Sequence, residues 1–249
     1  MNIKIAEDKE QLGELSGSQA AAFIKQAISE KGYANIIMAT GTSQFQTIDY
    51  LIKDTDIDWG KVTMFHLDEY LDIPITHPAS FRKYLKERFI DKVPPLKNYY
   101  LINGEANPED ECKRLNDLIS NHPIDVVLCG IGENGHLAFN DPPANFETKD
   151  PYIIVDLDEP CRMQQMNEGW FPSLEAVPTK AISMSVHQIM KSENVICSVP
   201  DERKAEAVAQ SIEGEIDPIV PASILQSHPN CYLYLDKASA SVWETQMSS

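Results

Sequence analysis

Three stretches of the chain set side chains capable of chemistry beside backbone that must bend sharply: Thr40-Gly41-Thr42-Ser43, Asp68-Glu69-Tyr70, and Gly130 to Asp141, GIGENGHLAFND. In the first, Gly41 lets the backbone approach a ligand closely. A helix starting just after it would aim N–H groups and positive dipole at an anion, which suits a phosphate. Gly and Thr also serve such turns for conformational reasons alone. Asp68 carries a carboxylate that is ionised at neutral pH from a reference pKa of about 3.9, and partial burial would raise its basicity towards that of a general base. Capping or loop solvation is the competing role for Asp68 and Glu69. His66, two residues earlier on the same strand face, reads as a hydrogen-bonded core histidine. The third stretch crowds Gly130, Gly132 and Gly135 around Glu133, Asn134 and His136, so a titratable imidazole sits on tightly turning backbone, with Asp141 five residues on to orient it. Its Gly-x-Gly-x-x-Gly spacing does not read as a dinucleotide site, because Phe139-Asn140-Asp141-Pro142-Pro143 cannot continue the helix such a site opens.

Such residues need rigid elements to hold them. Asp8 to Gly32 has helical apolar spacing at Ala20, Phe23, Ile24, Ala27 and Ile28, with Gly32 as its stop. Ala34 to Thr40 is a short apolar run followed by the glycine turn and a helical stretch from Phe45 to Ile52. The same grammar recurs at Val62 to Asp68 with a helix near Ser80 to Ile90, at Ile124 to Ile131 with the glycine-rich loop, and at Asn194 to Pro200 with a helix from Asp201 to Glu213. Asn107-Pro108 opens a further helix to about Ser120, and Cys231 to Asp236 is a last strand with a short helix after it. Strands apolar on both faces, alternating with helices, predict an α/β fold with a mostly parallel sheet covered on both sides. In such sheets ligands bind beyond the carboxyl ends of the strands, where all three stretches fall.

With 249 residues and no repeat, low-complexity tract or linker, the expectation is a single domain, 1–249. The formal net charge of -17 opposes binding to nucleic acid or anionic membranes, so a phosphorylated ligand needs a local counter-field. Five scattered cysteines suit reduced thiols rather than a disulfide framework or a zinc site. The start, MNIKIAEDKEQ, has no apolar signal segment, and no stretch has the ~18 apolar residues of a membrane span, so a cytoplasmic location is expected.

The segments ATGTS, HLDEY, HPASFRKY, GIGENGHLAFNDPP and ERKAEAV, in this order, resemble the glucosamine-6-phosphate deaminase/isomerase family, which is related in fold to 6-phosphogluconolactonases. The resemblance runs from about Asn35 to Asp236. It implies a Rossmann-like fold and a reaction on a phosphorylated sugar with no metal, nucleotide or other cofactor. It further implies Asp68 as the proton-abstracting base and His136 as the group that opens the sugar ring, with Asn134 and Asp141 completing the catalytic set. Thr40, Gly41, Thr42, Ser43 and Lys204 are implied at the phosphate. Conversion of glucosamine 6-phosphate to fructose 6-phosphate and ammonia is the expected reaction.

The chain departs from the family pattern in places. Asp141 stands where a glutamate is usual, Asn134 where many members have aspartate, and Glu168-Gly169-Trp170-Phe171 where an arginine commonly precedes an aromatic pair and reaches the phosphate. Arg162 and Arg203 are the candidates to replace that arginine. Asp68-Glu69-Tyr70 and Asn140-Asp141-Pro142 separate the chain from lactonases, which usually show Asp-Glu-Arg and a Ser-Leu-Phe-Pro-like run there. Isomerisation of another sugar phosphate stays open. A non-turnover sugar-phosphate sensor is disfavoured by the acidic charge and by the presence of both Asp68 and His136. The oligomeric state is left open, homo-oligomers included, and the short stretch after the last strand predicts no strong activation by an N-acetylated sugar phosphate.

Overall fold

Strands that are apolar on both sides need cover on both sides, and the structure, a computed structural model describing residues 1–247, supplies it. The strands are β1 (Asn2–Ala6), β2 (Ala34–Met38), β3 (Val62–His66), β4 (Asp68–Tyr70), β5 (Asn98–Tyr99), β6 (Val126–Cys129), β7 (Tyr152–Asp156), β8 (Lys180–Met184), β9 (Asn194–Val199) and β10 (Cys231–Asp236). The helices are α1 (Lys9–Lys31), α2 (Phe45–Leu51), α3 (Phe81–Arg88), α4 (Pro108–Ile119), α5 (Glu159–Asn167), α6 (Val186–Met190), α7 (Ala205–Glu213) and α8 (Lys237–Met247). Seven strands pair in parallel in the order β1-β10-β9-β6-β2-β3-β5, flanked by helices. The expected α/β, Rossmann-like class is therefore found.

Burial follows position in the sheet. Every residue of β2, β3 and β6 in the middle is buried, whereas both residues of the edge strand β5 are exposed and β1 is largely so. The sequence patterns at the helix ends act as read. Asp8 accepts a hydrogen bond from the Gln11 N–H at 2.8 Å to cap α1, whose other end stops at Gly32 in the left-handed region. Asn107 caps α4 with Pro108 just inside.

Two features differ from the sequence reading. The run from Val62 to Asp68 is not one strand. It ends at His66, and Leu67 passes the chain to a second sheet, β4-β8-β7, which is antiparallel. Leu67 serves both sheets: its N–H donates to Met38 O at 3.2 Å and its carbonyl accepts from Met184 N at 2.7 Å. The switch was hidden because β4 is only three residues long, Asp68–Tyr70, and two of them are carboxylates that read as the polar end of the β3 run. The expected helix from Asp201 likewise opens with a 3₁₀ turn, Glu202–Lys204, before α7. The second sheet roofs a small aromatic cluster in which Tyr70 meets Phe81, Phe139 and Phe171 with ring centroids 5.0–5.2 Å apart. Among the described residues no helix is long and apolar enough to cross a membrane.

Candidate active site

The carboxyl ends of β2, β6 and β9, together with β4, open onto a cleft of about 520 Å³. Its wall includes Thr40 to Ser43, Asp68, His136 and Lys204, so the three stretches singled out by residue type converge there. Asn134 and Asp141 stand outside the wall, against His136.

Asp68 and Glu69 show how strand alternation separates two adjacent carboxylates. Glu69 turns away from the cleft and accepts from Ser80 Oγ (2.8 Å), Phe81 N (3.1 Å), Arg82 N (3.0 Å) and Arg82 Nε (3.1 Å), closing the start of α3. Asp68 lines the cleft, and no hydrogen bond from the described residues reaches its carboxylate. Burial, and then the nearby Glu69 charge, raise its pKa well above the ordinary aspartate value. An under-solvated carboxylate on a substrate-facing wall has the affinity for protons that a base requires. His66 is buried with Nε2 accepting from Ile102 N at 2.9 Å, and burial lowers its pKa to about 3, which keeps it a neutral core histidine as read.

His136 lies against Gly132 so closely that a Cβ added there would stand 2.2 Å from its Cε1, which accounts for that glycine. Nδ1 faces Asn134 Oδ1 at 2.6 Å and Asp141 Oδ1 at 3.3 Å. With acceptors on that side, the neutral ring carries its proton on Nδ1 and leaves Nε2 to accept one. Asn134 Nδ2 donates to Asp141 Oδ1 and Asp158 Oδ2, both at 3.3 Å, and Asp158 N donates to Asp141 Oδ2 at 3.0 Å. Burial pushes the Asp141 pKa up, but the hydrogen bond and charge of His136 outweigh it and hold the group below its ordinary value. Asp158 itself is raised, by burial foremost. The loop is tied down as well: Phe139 N donates to Ser183 Oγ at 3.0 Å, and Asn140 Nδ2 donates to Leu137 O and Met184 O at 2.7 and 2.8 Å.

Gly41, also on the cleft wall, has φ 94°, a conformation that favours glycine, and its carbonyl is held by the Tyr84 hydroxyl at 2.8 Å. Lys204 lines the same cleft from the 3₁₀ turn. Its Nζ is buried, 3.8 Å from Glu133 Oε1 and 3.9 Å from Glu168 Oε1, and burial lowers its pKa against the pull of those two carboxylates.

A family model for glucosamine-6-phosphate isomerases and 6-phosphogluconolactonases matches residues 7–233. The chain belongs to this family. It is 36% identical over 243 residues to a glucosamine-6-phosphate deaminase of Bacillus cytotoxicus and 35% identical to one of Bacillus cereus, in each case covering 97% of this chain and 89% of the relative. A solved monomeric glucosamine-6-phosphate deaminase superposes with a TM-score of 0.89 at 31% identity, over 97% of this chain and all of that one. A 6-phosphogluconolactonase from Shewanella baltica shares the fold at a TM-score of 0.77 and 18% identity, over 95% of this chain and 97% of the other.

Against the family pattern, the two arginine candidates part company. Arg162 donates through Nη2 to Leu174 O and Val177 O at 2.8 and 3.1 Å and is not part of the cleft wall, so in this structure it braces a loop. Arg203 lines the cleft beside Lys204, bonded to Asp201 at 2.7 Å and near Glu133 at 3.5 Å. The segment that departs from the family brings Glu168 into the cleft wall, where its buried carboxylate accepts from Gln164 Nε2 at 3.0 Å and Trp170 Nε1 at 3.3 Å.

The sequence reading missed further wall residues, among them Lys9, Gln164, Gln165 and, as part of the cleft, Glu168. The last three belong to α5 and its C-terminal end. That helix had a legible start in Asp158-Glu159-Pro160, a capping residue with a proline just inside, and Asp158 does accept from Cys161 N at 2.7 Å.

Proposed function

We propose that the protein deaminates and isomerises glucosamine 6-phosphate, releasing fructose 6-phosphate and ammonia. The observation that carries this reading is the convergence on one cleft of a buried carboxylate, Asp68, an imidazole fixed by two acceptors, His136, and a cationic end at Lys204 and the Gly41 turn. The glucosamine-6-phosphate deaminases to which the chain is similar, and the motifs it shares with that family, support the same assignment.

Each step asks for a group that stands in the cleft. The cyclic sugar must open to expose C1 as an aldehyde, which needs a proton removed from the C1 hydroxyl and one delivered to the ring oxygen. His136 can do both through Nε2, while Asn134 and Asp141 keep the Nδ1 proton in place and stabilise the transient imidazolium. Asp68 then takes the proton from C2, leaving an enolamine, and returns a proton to C1. The resulting C2 imine adds water and expels ammonia, so one water is consumed for each ammonia released. Lys204, Arg203 and Thr40 to Ser43 hold the phosphate. That binding energy, far from the reacting carbons, fixes C2 within reach of Asp68.

Tyr70 and Asp141-Pro142 favour this over lactone hydrolysis. Tyr70 is buried in the aromatic cluster, so the position that is arginine in lactonases offers no cation to the cleft. The test is ammonia and fructose 6-phosphate release from glucosamine 6-phosphate by the wild-type protein and by Asp68→Asn. Turnover in the wild type that is lost in the variant is expected. No turnover by folded wild-type protein overturns the substrate, and unimpaired turnover by the variant overturns the base.

A further inference from the structure

Behind His136 lies a thiol for which the proposed reaction has no use. Cys161 is buried in the first turn of α5, its backbone fixed by the Asp158 cap at 2.7 Å. Its Sγ, a carboxylate oxygen of Asp141 and a ring nitrogen of His136 all lie within 4.8 Å of one another. A tetrahedral zinc ion with bonds of about 2.0 Å to nitrogen or oxygen and about 2.3 Å to sulfur sets its donors roughly 3.3–3.8 Å apart. His136 Nδ1 and Asp141 Oδ1 already stand at 3.3 Å, within that range.

We propose that His136, Asp141 and Cys161 form a binding site for a borderline-soft divalent cation of the zinc type, and that its occupation inhibits the enzyme. The donor set decides the class of ion. Imidazole and thiolate select zinc and its late first-row neighbours, whereas magnesium and calcium want oxygen alone. His136 forms part of the cleft wall, and Asp141 and the buried Cys161 stand behind it.

The proton balance explains the inhibition. Binding expels the Cys161 thiol proton to solvent and moves the imidazole proton from Nδ1, now bonded to metal, to Nε2. The Asp141 carboxylate enters already ionised. A ring with hydrogen on Nε2 and metal on Nδ1 has no lone pair left to accept a proton, so ring opening stops. Without the cation, burial and the neighbouring Asp141 and Asp158 charges keep Cys161 a protonated, unreactive thiol.

The inhibitory part rests on the proposed function; the binding does not, and the two are measured separately. Chelator-treated protein is titrated with Co²⁺ while the near-ultraviolet thiolate-to-cobalt charge-transfer band is followed, and Zn²⁺ or Mg²⁺ is then added in competition. One equivalent producing the band, displaced by Zn²⁺ but not by Mg²⁺, is expected. Cys161→Ser should abolish the band and weaken Zn²⁺ at least ~10-fold while keeping metal-free turnover. No band in folded wild-type protein, or an undiminished band in the serine variant, overturns the site. Full turnover of zinc-loaded protein overturns the inhibition alone.

Discussion

At one end of the cleft His136 is held at Nδ1 by two acceptors that are themselves hydrogen-bonded to Asp158, on a loop pinned to β8 through Ser183 and Asn140. Elsewhere on the cleft wall Lys204 Nζ has no neutral hydrogen-bond partner among the described residues and stands between two carboxylates nearly 4 Å away. One region is fully assembled before substrate arrives; the other holds its cation in a loose electrostatic compromise that a phosphate would replace. Chemistry that moves protons needs fixed distances, because a displacement of about 1 Å can cost on the order of 100-fold. A site that binds a dianion needs charge more than geometry, and Lys204 can satisfy a ligand only by exchanging it for Glu133 and Glu168.

If the ends divide their labour in this way, substitutions at them separate in kind. The largest effect belongs to Asp68→Asn, which keeps shape and removes basicity: kcat should fall ~10³-fold with KM little changed, read from ammonia release. A comparable loss confined to KM would place Asp68 in binding and break the comparison. Next, Lys204→Ala removes a charge-assisted bond to phosphate, for which about 1.5–3 kcal/mol corresponds to a KM rise of ~10–100-fold, with a smaller change in kcat. A variant with unchanged KM would show that the phosphate lies elsewhere.

The pH dependence sharpens the division further, because the shifts at the two ends run in opposite directions. As the proposed base, Asp68 acts only when ionised, and its raised pKa means that activity is present above that value and lost as pH falls through it. The acid limb of kcat/KM should therefore lie at higher pH than an ordinary aspartate gives. Lys204 in its proposed role binds phosphate only when protonated, and its lowered pKa means that KM should begin to rise at a lower pH than an ordinary lysine would allow. In Lys204→Ala the alkaline rise in KM should vanish while the acid limb stays. An acid limb at the ordinary aspartate value would remove the case for a desolvated base.

The same two ends differ in how much of them the sequence disclosed. The catalytic end was legible because its residues lie in two short segments, Asp68 and Asn134 to Asp141, where glycine spacing reports the bends directly. Gly132 had to be glycine to let an imidazole lie on it. The rest of the cleft wall was half legible: the Gly41 turn and Lys204 follow strands, but Lys9 and Glu168 come from helix ends that local pattern does not place in space. The parallel sheet followed from strands buried on both faces. The second sheet did not, since β4 is a three-residue strand with two carboxylates just after β3, and β7 and β8 owe their pairing to partners distant in sequence.

The smallest expected effect tests which arginine stands in for the one the family places before its aromatic pair. Arg203→Ala should raise KM for glucosamine 6-phosphate only ~3–10-fold, because the guanidinium is about half exposed and already committed to Asp201 at 2.7 Å, so it adds a screened charge rather than a bidentate grip. Arg162→Ala should leave KM unchanged and lower thermal stability instead, since its guanidinium donates to Leu174 and Val177 carbonyls and the variant strands those acceptors. Measured side by side as KM and melting temperature, the two variants should move different quantities. If Arg162→Ala raised KM as much as Arg203→Ala did, the loop it braces would have to shape the phosphate end, and the contrast between a fixed catalytic end and a loosely held binding end would fail at that point.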